Sequence, residues 1–214
     1  MRIALIHALR HSVAPINAAF DRLWPEPARM NLLDDSLSAD LARSGGLDAV
    51  MTGRFLTLAR YARDTGADAI LFTCSAFGPC IEACAEALAP IPVLKPNEAM
   101  IEEACATGRR IGLLATFAPT LASMPSEFPR GVTLVPRLVD GALSALDAGD
   151  VAAHDRLAVA VARDLADCDA IALAQFSLAH VAKAVAAATG KPVFSTPDSA
   201  VRKLRRILAL EKAA

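Results

Sequence analysis

A cysteine followed at once by a hydroxyl residue, small residues and a proline is a combination that can do chemistry. The chain has one in Thr73-Cys74-Ser75-Ala76-Phe77-Gly78-Pro79. It follows the apolar run Ala69-Ile-Leu-Phe72, and Pro79 suits the first turn of a following helix. A thiol so placed meets the unpaired amides and positive dipole end of that helix, which favour thiolate and draw its pKa from about 8.5 toward neutrality. A thiolate in a cleft accepts a proton or attacks carbon. The competing reading of Cys74 is the commoner one for any single cysteine, a small buried apolar side chain.

A second polar group closes another apolar run, in Leu173-Ala-Gln-Phe-Ser-Leu-Ala-His180. Gln175 moves no proton usefully, yet its amide can orient a carboxylate or carbonyl, with Phe176 and Ser177 beside it. His180 is the titratable group of this stretch and the candidate acid or base; a mid-helix histidine is more often a hydrogen-bonded structural residue. Ser75 and Ala76, and Thr116 and Phe117 after the run Ile111 to Ala115, offer hydroxyls and backbone donors for a carboxylate. Ordinary helix capping uses the same residue types. His7 ends the first apolar run at the expected cleft edge, where a satisfied structural histidine is the competing reading. Asn97 and Glu98 read as the start of a helix. Cys80, Cys84, Cys105 and Cys168 read as structural thiols, and the five cysteines lack zinc-ligand spacing, so no metal is expected.

The elements that must position these residues repeat. Arg2-Ile-Ala-Leu-Ile-His7 is echoed by Arg110-Ile-Gly-Leu-Leu-Ala115, Asp68-Ala-Ile by Asp169-Ala-Ile, and Ile91-Pro-Val by Lys191-Pro-Val, in the same order. Three ordered echoes indicate an internal duplication. Segments of helical pattern lie between the short strands, roughly at 53–64, 79–89, 97–107, 152–166, 178–189 and 199–210. Strand–helix alternation of this kind demands parallel sheets with helices on both faces. The predicted fold is α/β: two similar lobes, residues 1–96 plus 198–214 and residues 97–197, related by a pseudo-twofold. In such sheets ligands bind beyond the carboxyl ends of the strands, so Cys74 and Gln175 are expected to face each other across one cleft. The proline-bearing stretch 117–137 and the stretch 21–44 read as irregular segments able to cover it.

Composition sets the outer limits. With 22 Lys and Arg against 23 Asp and Glu, a net charge of −1 gives no electrostatic reason to bind nucleic acid or an anionic membrane surface. A hydrophobic fraction of 54% with 5% aromatics points to a core of Ala, Leu, Val and Ile. No charge-free stretch reaches the ~18 residues of a spanning helix, and the N-terminus reads as lacking a signal peptide, so the cytoplasm is the expected location.

The segments Ile3–His7, Phe72–Gly78, Lys95–Glu103, Arg110–Thr116 and Ser195–Arg202, in this order, resemble the aspartate/glutamate/hydantoin racemase superfamily, which includes maleate isomerases and arylmalonate decarboxylases. The resemblance implies cofactor-independent chemistry on a small carboxylate or related carbonyl compound. Two cysteines on opposite sides of a cleft would exchange the proton alpha to a carboxylate. Cys74 matches the first; Gln175 stands where the second would be. Racemisation with another proton source, alkene isomerisation, decarboxylation of a malonate-type substrate and simple ligand binding all remain open. A homodimer is suggested by the family alone.

Overall fold

The computed structural model describes residues 1–211, so the last three residues of the expected first lobe lie outside the described residues. Eight strands form two four-stranded sheets, and every pairing is parallel. The first holds β1 (Arg2–His7), β2 (Ala28–Leu33), β3 (Ala69–Phe72) and β4 (Val93–Leu94) in the order β2-β1-β3-β4. The second repeats it with β5 (Arg110–Ala115), β6 (Thr133–Leu138), β7 (Ala170–Leu173) and β8 (Val193–Ser195) in the order β6-β5-β7-β8. Even the register recurs, with Ile3 opposite Ala69 and Ile111 opposite Ala170.

The central strands are apolar on both faces because helices cover both. Ile3 and Leu5 pack with α1 (Val13–Leu23), whereas Ala4 and Ile6 pack on the opposite face with α3 (Ala49–Asp64) and α4 (Gly78–Leu88). The helix after each sheet's last strand crosses to the other sheet. Helix α5 (Glu98–Thr107) sends Met100, Ile101 and Ala104 against β5 and β7, and Ala200, Val201 and Leu204 of α10 (Thr196–Glu211) pack on β1 and β3.

The Asp-Ala-Ile echo has a structural cause. Asp68 accepts a hydrogen bond from the Arg2 amide at 2.6 Å, and Asp169 accepts from the Arg109 and Arg110 amides at 2.8 Å, so each aspartate ties two strand starts together. Gly108 is needed for this: a Cβ there would lie 2.3 Å from Asp169.

The two stretches expected to be irregular carry regular elements instead. Residues 21–44 contain β2 and α2 (Ser36–Ser44); residues 117–137 contain α6 (Ala118–Ser123), a 3-10 turn at Met124–Glu127 and most of β6. Both strands are sheet edges with only half-buried or exposed side chains, so neither has the apolar run of a central strand. Pro136 is tolerated in β6 for the same reason. Helix α7 (Ala142–Asp147), α8 (Val151–Ala162) and α9 (Ala182–Thr189) complete the second half. Among the described residues no helix is long and apolar enough to cross a membrane.

Candidate active site

Cys74 and Gln175 occupy equivalent positions. Each is an extended residue just beyond its strand and just before a 3-10 turn, with φ/ψ of −122°/121° for Cys74 and −144°/146° for Gln175. The two strand ends meet: the Ser75 hydroxyl donates to the Ala174 carbonyl at 2.8 Å and lies 3.2 Å from Thr120 Oγ1. The Ser123 hydroxyl donates back to the Ser75 carbonyl at 3.2 Å. Ser75 is thus committed to joining the halves.

The thiol is covered. Cys74 is 5% exposed, and burial pushes its pKa up to about 11 against the opposing pull of the Ala76 amide and the Ser38 hydroxyl. This corrects the expected activated thiolate: desolvation outweighs the turn's donors. Two cavities are lined by neighbours of Cys74 and not by Cys74 itself. One, of about 370 Å³, includes Arg10, His11, Ser38, Phe117 and Asp147; the other, of about 550 Å³, includes Ala76 and Pro79, from the turn and helix that follow Cys74. At the mouth of the first, Arg10 and His11 of one half each reach Asp147 of the other at 2.9 Å.

On the second half, Gln175 is 5% exposed and held by one end. Its Oε1 accepts from the Thr116 amide, from the Thr116 hydroxyl at 2.9 Å and from the Phe117 amide at 3.2 Å. These are the donors expected to hold a carboxylate, so here a protein amide oxygen sits among them. Gln175 Nε2 and the Ser177 hydroxyl are buried without a hydrogen-bond partner among the described residues.

Three expected site residues take other roles. His7 is fully buried, with Nδ1 2.8 Å from Thr73 Oγ1 and Nε2 3.0 Å from Asn31 Oδ1, leaving no ring nitrogen for a ligand. Burial lowers its pKa, which the Asn31 bond only partly offsets, so the neutral Nε2–H form donates to Asn31 and accepts from Thr73. Phe176 turns its ring into the core beside Ile3, Leu5 and Phe20. His180 pairs with α8 instead: its Nε2 is 2.7 Å from Asp155 Oδ1, which His154 Nδ1 also contacts at 2.8 Å. The 3-10 turn after Gln175 runs to Val181 and carries His180 to the outer surface. His154, Asp155 and His180 also form a grouping of potential metal ligands, within 4.8 Å of one another, among the described residues.

Sequence reasoning missed Ser38, Asn31 and the Arg10–Asp147 contact, which come from the edge strand and helices it left unassigned. It also missed Glu127, a buried carboxyl 4.0 Å from Lys95 Nζ and close against Gly78 at the start of α4.

Comparison with known proteins decides the family. The Asp/Glu/Hydantoin racemase profile matches residues 16–204. The chain belongs to this family. Among solved structures, allantoin racemase from Klebsiella pneumoniae superposes with a TM-score of 0.73 at 19% identity, covering 99% of this chain and 89% of that one. Glutamate racemase from Thermus thermophilus gives 0.75 at 21% identity over 99% and 81% of the two chains. A point mutant of arylmalonate decarboxylase gives 0.66 at 20% identity over 96% and 92%. No match was found among curated protein sequences. The solved structures share the racemase family's two-lobed α/β fold with this chain.

Proposed function

We propose that this family member is a cofactor-independent isomerase of the racemase type, acting on a small carboxylate or related carbonyl compound through Cys74. The observation that carries the reading is the meeting of two equivalent strand ends, of which only the first bears an ionisable group. Ionised Cys74 takes the proton from the substrate's alpha carbon. The C–H electron pair moves into the adjacent carbonyl as an enediolate, and the sulfur becomes a thiol. The unpartnered Gln175 Nε2 and the Ala76 amide stabilise that developing charge. Reprotonation on the same face restores the starting isomer. On the other face a proton comes from water relayed by Ser177, which gives the opposite isomer, and the hydroxide left behind takes the proton from the Cys74 thiol, restoring water and the thiolate.

The sealed thiol limits the rate. With burial pushing its pKa up to about 11, Cys74 rests as the thiol near neutral pH, so turnover requires the packing of α2 over the sulfur to loosen as substrate enters. The protonated state of Cys74 favours a second reading, in which the thiol delivers its proton to the carbanion left when a malonate-type substrate loses carbon dioxide.

The test is incubation in deuterated water with amino acids, hydantoins, maleate and substituted malonates, followed by NMR. Alpha-deuteration with inversion, abolished by Cys74→Ser, supports the first reading, and carbon loss supports the second. Ligand binding without any turnover in either protein would make the chain a binder.

A further inference from the structure

The cavity of about 550 Å³ is built by the segments that follow β3 and β5. Ala76 and Pro79 follow Cys74, Pro119 and Ala122 follow Thr116 and Phe117, and Leu41 and Leu47 close the opposite wall. At about 550 Å³ it lies within the roughly 300–1,000 Å³ of small-molecule sites. No charged side chain lines it. Its two serines are committed to the protein, Ser123 to the Ser75 and Thr120 carbonyls and Ser126 to the Ser123 carbonyl. A ligand's charged side group placed there would lose water and gain no partner, whereas an apolar group would exchange water for leucine, proline and alanine carbon. The polar groups instead gather in the smaller cavity, around Arg10, His11 and Ser38.

We propose that the ligand of this cleft is a small carboxylate bearing an uncharged apolar substituent, aryl or branched alkyl, seated between α2, α4 and α6. The inference rests on the carboxylate reading above and names its substrate class. It separates this cleft from one selecting an acidic amino acid, whose second carboxylate would have to enter the apolar cavity.

Isothermal titration with phenylacetate, isovalerate, acetate, aspartate and glutamate tests it, in the intact protein and in two variants that fill the cavity. Ala122 is exposed on α6, and a Cβ at Gly46 meets nothing within 4 Å, so Ala122→Phe and Gly46→Leu add volume without disturbing the core. Phenylacetate and isovalerate should bind more tightly than acetate, aspartate and glutamate. Each variant should weaken the two apolar ligands by about tenfold or more while acetate affinity holds. Tighter binding of aspartate or glutamate, unaltered phenylacetate affinity in both variants, or no binding of either apolar carboxylate would overturn the proposal. So would variants that change only the sedimentation of the protein, because the cavity would then belong to a second copy of the chain. Binding is read without turnover, so failed deuterium exchange would remove the isomerase reading and leave the ligand class standing.

Discussion

The ends of β3 and β7 share backbone geometry, register and sequence echo, and differ in what they hold. The first presents a thiol that burial keeps protonated. The second presents an amide whose oxygen is gripped by three donors and whose nitrogen has no partner. The comparison separates frame from chemistry. Asp68 and Asp169 recur because each sheet needs its strand starts tied, whereas nothing in the frame requires the two ends to carry the same functional group.

The sharpest test of this asymmetry substitutes each end in turn. Cys74→Ala should lower alpha-proton exchange by about 10³-fold or more, the scale of a lost acid–base residue. Gln175→Ala should lower it by only about tenfold, because it removes a hydrogen-bond donor and leaves the proton acceptor. Equal losses would mean that both ends take part in proton transfer. The thiol also reports its own state: alkylation of Cys74 by iodoacetamide should be slow at pH 7 and rise toward pH 11. Because the folded pKa lies above the ordinary 9.0, the stability tied to the protonated thiol is complete below pH 9 and is lost as pH rises from 9 to about 11.

Gln175 should matter more to folding than to turnover. Truncation to Ala leaves the Thr116 amide, the Thr116 hydroxyl and the Phe117 amide without their shared acceptor, at a cost of about 2 kcal/mol. Gln175→Glu keeps an acceptor among the same donors and should retain most of that stability at neutral pH. Urea denaturation of the two variants measures the difference. A stable Gln175→Ala protein would show that water replaces the amide and that the second end is open to ligand.

The parts of this comparison visible in the sequence are those with strong local patterns. Central strands covered on both faces read as unbroken apolar runs, so β1, β3, β5 and β7 and the duplication were legible, and the position of Cys74 followed from them. Edge strands β2 and β6 carry no such run, and with them went α2, Ser38 and Asn31, which cover the thiol and hold His7. Burial is the other missing quantity. A turn preceding a helix predicts an activated thiol, but only the packing of α2 over it reveals the larger desolvation. His180 was misplaced for a related reason: a six-residue 3-10 turn advances and rotates differently from the α-helix assumed, and carries the ring to the surface.

The second half also carries a covered carboxyl that lies against the first half. Glu127 packs against Gly78 at the start of α4, and burial pushes its pKa up to about 7, with Lys95 opposing and Glu98 and Glu82 adding to the rise. A folded pKa above the ordinary 4.5 means that this group's stability contribution is complete below pH 4.5 and is lost as pH rises to about 7. Glu127→Gln should therefore match the parent in acid and exceed it by about 1–2 kcal/mol above pH 7, read from thermal melts across that range. A less stable variant at pH 8 would show that the Lys95 pairing outweighs burial.

The smallest effect belongs to His180, and its smallness is informative. Asp155 Oδ1 accepts from both His154 and His180, whose rings stack at 5.2 Å. With side chains 42% and 39% exposed, the His180–Asp155 pair is worth less than about 1 kcal/mol. His180→Ala should change stability by no more than that and leave exchange within about twofold of the parent. Burial pushes the Asp155 carboxyl up, but the two histidine bonds prevail and hold it below its ordinary value. Its contribution is thus present above pH 3.8 and fades as pH falls further, and losing one histidine should shrink that acid-side loss. If His180→Ala instead abolished exchange, the second half would be supplying a titratable group from its outer surface, and the division of labour between the two strand ends would have to be redrawn.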